Sequence, residues 1–255
     1  TVATFEPTYQ LHSHIARIAG ANVVNGKRNA DFTLDVNEVR RVCSEYSPSV
    51  TFLCSPNNPT GMAEDPAVIK TTVESAPGVV VVDEAYAQFS PHSALDHVHD
   101  SSNVAVSRTF SKTWSMAAAR LGYLVAPKWM IDDLEIVTLP YHLDALKQRA
   151  GLLALQHIGH MEAGVKVVIA ERERLVTAMR ALPLTVWPSQ ANFILFRPNQ
   201  VAGRVAWQSM LDAGVLVRDC SSWDGLTDCL RVTVGTAAEN DAFLTALRGA
   251  VMARD

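Results

Sequence analysis

Lys112 is the single lysine in the stretch "SRTFSKTWSMAAARLGY" from Ser107 to Tyr123, with Arg120 following it. The apolar run Val104-Ala105-Val106 precedes it and Met116–Ala119 come after, so a buried neighbourhood is expected. Buried lysines are rare, and desolvation lowers their pKa until the neutral amine can act as nucleophile or proton carrier. Ser107, Thr109 and Ser111 add hydroxyls at a strand-to-helix turn. With backbone N–H groups these suit a phosphate, and Arg120 can supply the countercharge. Two other apolar runs also end in polar residues. Val79–Val82 lead into Asp83-Glu84-Ala85-Tyr86. A carboxylate that comes first off a buried strand needs a cation, or serves as a helix cap. Val50–Leu53 lead into "CSPNNPTG", where Pro59 biases Asn58 toward extended backbone and Gly61 permits a turn. An ordinary turn would use the same residue types.

The elements that must position these residues alternate up to about residue 125. Strands are expected at Val2–Phe5, Asn22–Val24, Val50–Leu53, Val79–Val82, Val104–Ser107 and Gly122–Val125. Helices are expected at Leu11–Ala19, Val36–Cys43 and Pro66–Glu74. Apolar strands separated by helices argue for a mostly parallel sheet covered by helices. "VVVVD" has no alternation, so both faces of that strand are expected to be buried. Ligands of such sheets collect at the carboxyl ends of the strands, where the three polar segments lie.

Beyond residue 125 the pattern turns helical: Trp129–Val137, Ala145–His157 and Glu162–Arg180. In the last, Val165, Val168, Ile169, Leu175, Val176 and Met179 repeat at helical spacing and read as core. Strands Leu184–Trp187, Asn192–Phe196 and Leu230–Val234, with helices Val201–Ala213 and Ala238–Val251, make a smaller C-terminal α/β domain. The expected division is a large domain over 1–145, then interdomain helices and the small domain over 146–255.

The 255 residues are 48% hydrophobic and 19% charged, with a net charge of −4 and no long basic run. Nucleic acid and anionic membrane are therefore unfavoured partners. No stretch reaches the apolar length of a membrane span. Cys43, Cys54, Cys220 and Cys229 show neither metal-ligand spacing nor a disulfide framework, and read as reduced thiols of a cytoplasmic protein. No metal site is expected. His12 and His14 do not share a helix face. His92, His97 and His99 fall in a polar loop. Trp187, Trp207 and Trp223 read as packing residues. The chain opens on Thr1-Val2-Ala3-Thr4-Phe5, which reads as an internal strand. An N-terminal piece is expected to precede it.

An amine for an imine, a carboxylate for a pyridinium nitrogen, an asparagine and a tyrosine for a phenolic oxygen, and hydroxyls plus arginine for a phosphate together match one cofactor, pyridoxal phosphate. "SPNNPTG", "VVDEAY" and "SRTFSKTWSMAAARLGY", in that order, resemble the fold-type I pyridoxal-phosphate-dependent aminotransferases. "LPYHLDALKQ", "SQANFILF", "GVLVRD" and "CLRVTVGTAAENDAFLTAL" are similar to segments of the histidinol-phosphate branch, so that the resemblance covers nearly the whole chain.

The resemblance implies that Lys112 binds the cofactor covalently. Asp83 would pair with the pyridine nitrogen, Tyr9 would stack on the ring, and Asn58 and Tyr86 would bond its 3′ oxygen. Thr109, Ser111 and Arg120 would hold the phosphate, and Arg231 and Arg218 the anionic groups of the substrate. It also implies a cis Asn58–Pro59 bond, a homodimer, an amino donor and a 2-oxo acid acceptor. The family carries roughly a hundred more residues at its N-terminus, including the first strand of the large sheet. Val2–Phe5 is therefore expected to have lost a neighbour, and the phosphate end of the pocket to be open. The activity expected is transamination of L-histidinol phosphate with 2-oxoglutarate. The alternatives are an aromatic amino acid aminotransferase, a threonine-phosphate decarboxylase-like enzyme, a ligand-sensing domain and an inactive truncated remnant. "YQLHSHIAR", after Pro7, departs from the tyrosine-rich segment of the histidinol-phosphate branch.

Overall fold

Five-residue apolar strands and crossover helices alternate through the first half of the chain, and this alternation builds a parallel sheet. The computed structural model describes residues 1–252. Strand β1 (Val2–Glu6) is followed by α1 (Leu11–Ile18), β2 (Val23–Lys27), α2 (Val36–Tyr46), β3 (Val50–Cys54), α3 (Pro66–Ser75), β4 (Val79–Asp83), β5 (Val104–Thr109) and β6 (Gly122–Val125). The sheet order is β2-β1-β3-β4-β5-β6. All neighbours run parallel except β6, which returns antiparallel to β5. Asp35 and Asp65 start α2 and α3 by accepting a backbone N–H with their carboxylates, satisfying donors that the first turn leaves unpaired.

Two expectations fail here. Val2–Phe5 has not lost a neighbour: β1 lies between β2 and β3, and the edges of the sheet are β2 and β6. Nor is β4 fully buried on both faces. Val80 and Val82 are buried, but Val79 and Val81 are only half-buried. The cause is uneven cover. Val39, Val42, Val68 and Ile69 of α2 and α3 pack with Phe5, Leu53, Val80, Val82, Val104 and Val106 on one face. On the other face α1 covers β1 and β2, and stacks His12 on Phe52 of β3.

The second half opens with α4 (Lys128–Val137), α5 (Ala145–Leu155) and α6 (Ile158–Arg180). A second α/β set follows, with β7 (Leu184–Val186), β8 (Phe193–Pro198), α7 (Gly203–Asp212), β9 (Arg218–Asp219), β10 (Leu230–Thr233) and α8 (Ala237–Val251). Its sheet runs β7-β8-β10-β9 with every pair antiparallel. Leu175 and Met179 of α6 pack against Ile194, Phe196, Met210, Leu230 and Leu247, so the helical stripe read from the sequence is core. The two-residue β9 is too short to leave a sequence pattern. Ile136, Val137, Leu139 and Leu146, on and between α4 and α5, are exposed. No helix among the described residues is long and apolar enough to cross a membrane.

Candidate active site

The polar segments after β3, β4 and β5 converge with β10 on a cavity of about 440 Å³. Its walls include Asn58, Asp83 and Tyr86, then Thr109, Ser111, Lys112 and Arg120, and finally Tyr9 and Arg231. Nine of the ten residues singled out in the sequence are thus brought together. Arg218 is the exception: it is exposed and does not line the cavity. It sits on the short edge strand β9 as the Cα partner of Arg231, so the two side chains leave the same face of the sheet.

The loop after β3 is fixed by Asn57. This fully buried side chain accepts from Thr8 Oγ1 at 2.7 Å and donates to Pro7 O and Thr60 Oγ1, both at 3.0 Å. Gly61 closes the turn with φ +78°, and a Cβ there would stand 2.6 Å from Ser189 Oγ. Asn58–Pro59 is cis, as the resemblance implied; Glu6–Pro7 and Ser55–Pro56 are cis as well. The Asn58 side chain accepts from Arg231 Nη1 at 2.6 Å, although the two residues belong to different sheets. The Arg231 guanidinium also lies 4.7 Å from the centre of the Phe193 ring, and its Nε is buried without a partner.

Asp83 ends β4 and accepts from Ala85 N at 3.0 Å through Oδ1. Its Oδ2 lies 3.0 Å from His12 Nε2. This contact gives His12 a place at the site that its sequence spacing from His14 does not suggest. The ring is buried, stacked on Phe52 at 4.6 Å and edge-on to Tyr9 at 5.4 Å. The local signal is Tyr9 and His12, three positions apart across the start of α1; the spacing of His12 from His14 carries none.

Lys112 does not occupy the buried neighbourhood expected of it: the residue is exposed, as is Arg120. The cavity walls nonetheless remove enough water from the ammonium to lower its pKa. Arg231 and Arg120 push in the same direction, and Asp83 opposes them. Lys112 Nζ stands 5.3 Å from the centre of the Tyr86 ring, and burial pushes the Tyr86 phenol pKa up. Thr109 Oγ1 orders the following turn by accepting from Ser111 N at 3.0 Å. Arg120 holds a left-handed backbone, φ +51°, uncommon for a residue with a Cβ. No group of three metal-ligating side chains occurs among the described residues.

This arrangement offers an amine of lowered pKa, a carboxylate held by histidine, a buried phenol and the three guanidiniums of Arg108, Arg120 and Arg231 around one cavity. A model of the family described as aminotransferase class I and II matches residues 1–247. A histidinol-phosphate aminotransferase of Streptomyces avermitilis is 44% identical over 253 residues, covering 97% of this chain and 67% of that protein. Other curated relatives of the same description are covered over as little as 60% of their length. The chain thus spans about two thirds or less of the curated relatives it matches. In fold it is similar to the histidinol-phosphate aminotransferase from Clostridium acetobutylicum, with a TM-score of 0.90 at 22% identity over 97% of this chain and 77% of that one. It is also similar to the Sinorhizobium meliloti enzyme in complex with pyridoxal-5′-phosphate, with a TM-score of 0.86 at 21% identity over 98% of this chain and 70% of that one.

Proposed function

This chain belongs to the class I and II aminotransferases, and from that membership we propose that it moves the amino group of L-histidinol phosphate to 2-oxoglutarate, with pyridoxal 5′-phosphate as cofactor. The observation that carries the chemistry is that Lys112, its pKa lowered, lines one cavity with Asp83. The 44% identity to a histidinol-phosphate aminotransferase supports the choice of donor.

The donor set fits the cofactor. A phosphate has the Ser111 and Thr109 hydroxyls and the Arg120 cation on the cavity wall, and an anionic substrate group has the Arg231 guanidinium. The cofactor, when bound, supplies a carbonyl for the substrate amine and an electron sink for charge left at the substrate Cα. Lys112 would be its covalent anchor, and its neutral Nζ would take the proton from the substrate Cα as general base. Asp83 would keep the ring nitrogen protonated, and His12 would hold that carboxylate in place. Tyr9 would stack on the ring, while Asn58 and Tyr86 would bond its phenolic oxygen. Arg231 would orient the substrate through its anionic group; Arg218, exposed and outside the cavity, is given no part in it. The other partners in this reading are the 2-oxo acid and a second copy of the chain, in the cytoplasm. The exposed apolar side chains of α4 and α5 support the second copy.

The test is a steady-state assay of the complete gene product with histidinol phosphate and 2-oxoglutarate, following glutamate. Turnover of phenylalanine without turnover of histidinol phosphate sinks the donor assignment and leaves the class. Carbon dioxide release without glutamate sinks transamination itself.

A further inference from the structure

We propose that Glu84 and Arg108 form a positioning clamp that holds the end of β4, with Asp83, at a fixed spacing from the end of β5, with Lys112. The proposal deepens the reading of the site given above. Glu84 is 1% exposed, and the Arg108 side chain 17%. Arg108 donates twice to Glu84 Oε2, from Nη2 at 2.7 Å and from Nε at 3.0 Å. The other oxygen, Oε1, accepts from Ala94 N at 2.5 Å, and Ser93 Oγ lies 2.9 Å from both. Arg108 Nη2 also donates to Ser93 Oγ at 2.9 Å. Three segments meet on one carboxylate: the end of β4, the end of β5, and the turn at Ser93 and Ala94.

The location gives the clamp its leverage. Asp83 faces the cavity and its neighbour Glu84 faces the clamp. Ser107, Arg108 and Thr109 all line the cavity, so the clamp borders it directly. The backbones are already paired, with Asp83 opposite Ser107 and Glu84 N donating to Ser107 O at 2.9 Å. That pairing stops at the last residues of the strands. Past it, the two-pronged ion pair sets how far apart the chains diverge before one delivers Tyr86 and the other Lys112. Stability alone does not call for such a pair, because apolar residues of similar volume often serve a core as well or better. What directional, fully satisfied bonds add is a fixed geometry.

A spacing device and a merely structural pair respond differently to an apolar replacement. The experiment compares wild type, Arg108→Lys and the double variant Glu84→Leu/Arg108→Met. It reads the melting temperature, the pyridoxal phosphate dissociation constant, and the pH midpoint for labelling Lys112 with an amine reagent in cofactor-free protein. The groups that face Lys112, namely Asp83, Arg231, Arg120 and the Tyr86 ring, are left unchanged. The double variant should melt near the wild-type temperature. Its Lys112 midpoint should rise by about half a unit or more toward that of a free lysine, as water enters the loosened site. Its affinity for pyridoxal phosphate should fall by about tenfold or more, as misplaced groups lose their alignment. A double variant that melts like wild type and keeps both values overturns the proposal. Should the double variant not fold, Arg108→Lys keeps the charge and loses the fork. The same two shifts are expected of it, and their absence is equally fatal. If the wild-type chain binds no pyridoxal phosphate, the functional reading fails, while the labelling midpoint still decides the clamp.

Discussion

His12 Nε2 and Asp83 Oδ2 lie 3.0 Å apart, joining the first helix of the chain to the end of β4 beneath the cavity. The histidine is held from two further sides, by the Phe52 face and by the Tyr9 edge. His12→Phe keeps the stack on Phe52 and removes the hydrogen bond to the carboxylate. Bonds to charged groups contribute about 1.5–3 kcal/mol, so kcat/KM should fall by about ten- to a hundredfold. Asp83→Ala removes the carboxylate itself and should cost more than His12→Phe. Equal losses from both variants would place the function of Asp83 elsewhere than on the ring nitrogen.

Lys112 gives a pH dependence whose sign follows from its lowered pKa. Its charged form is disfavoured in the folded state, and the unfolded value is near 10.5. Below the folded pKa both states are protonated and the penalty is fully present. Between the folded and unfolded values the unfolded state binds more protons, so stability rises with pH. Lys112→Met should therefore melt higher than wild type at neutral pH, with the gap narrowing as the pH approaches 10.5. The same variant should lose turnover by about three orders of magnitude or more, since it removes both anchor and base. Thermal melts of cofactor-free protein across pH check the first statement, and a steady-state assay the second.

Arg231 and Arg218 should separate cleanly in kinetics. Arg231 lines the cavity with a buried, unpartnered Nε, whereas Arg218 is exposed. Arg231→Gln should raise the KM for histidinol phosphate by about ten- to a hundredfold. Arg218→Gln should change it by a factor of about three or less, as for a solvent-screened charge. A larger effect at Arg218 would mean that β9 moves toward the cavity when substrate binds.

The cysteines should be inert in the folded protein. All four are free and buried. Burial raises the pKa of each, to about 11 for Cys220 and Cys229 and well above 9.0 for Cys54. The thiolate is the reactive form, so a disulfide reagent at neutral pH should react about a hundredfold more slowly than with the denatured chain. Counting thiols released before and after denaturation checks this. One fast thiol in the native state would mark a locally open segment.

The strands of the large sheet were legible because continuous apolar runs such as Val79–Val82 end sharply at polar residues. The same ends gave Asn58, Asp83, Lys112 and Arg120, since sheet ligands gather there. What stayed hidden depends on distance in sequence. His12 meets Asp83 across 71 positions, and Arg231 meets Asn58 across 173. Nothing local in "YQLHSHIAR" distinguishes a histidine that supports a carboxylate from one in solvent. Lys112 is exposed, against expectation, for a related reason. Its apolar neighbours in sequence do not enclose it: Val104, Ala105 and Val106 are buried in the sheet, while Ala117 and Ala118 are exposed.

The bond from Arg231 Nη1 to Asn58 Oδ1 ties the guanidinium of one sheet to the loop that follows a strand of the other. The guanidinium is not idle, because one prong is engaged by the asparagine and its face rests on Phe193. In the proposed reading Asn58 is also the side chain that bonds the phenolic oxygen of the cofactor. It would do so by donating from Nδ2, which leaves Oδ1 in place to accept from Arg231. A guanidinium has N–H groups beyond the one the asparagine uses, so an arriving carboxylate or phosphate need not break this contact. One amide can thereby set the orientation of a guanidinium carried by the other sheet, 173 positions away in sequence.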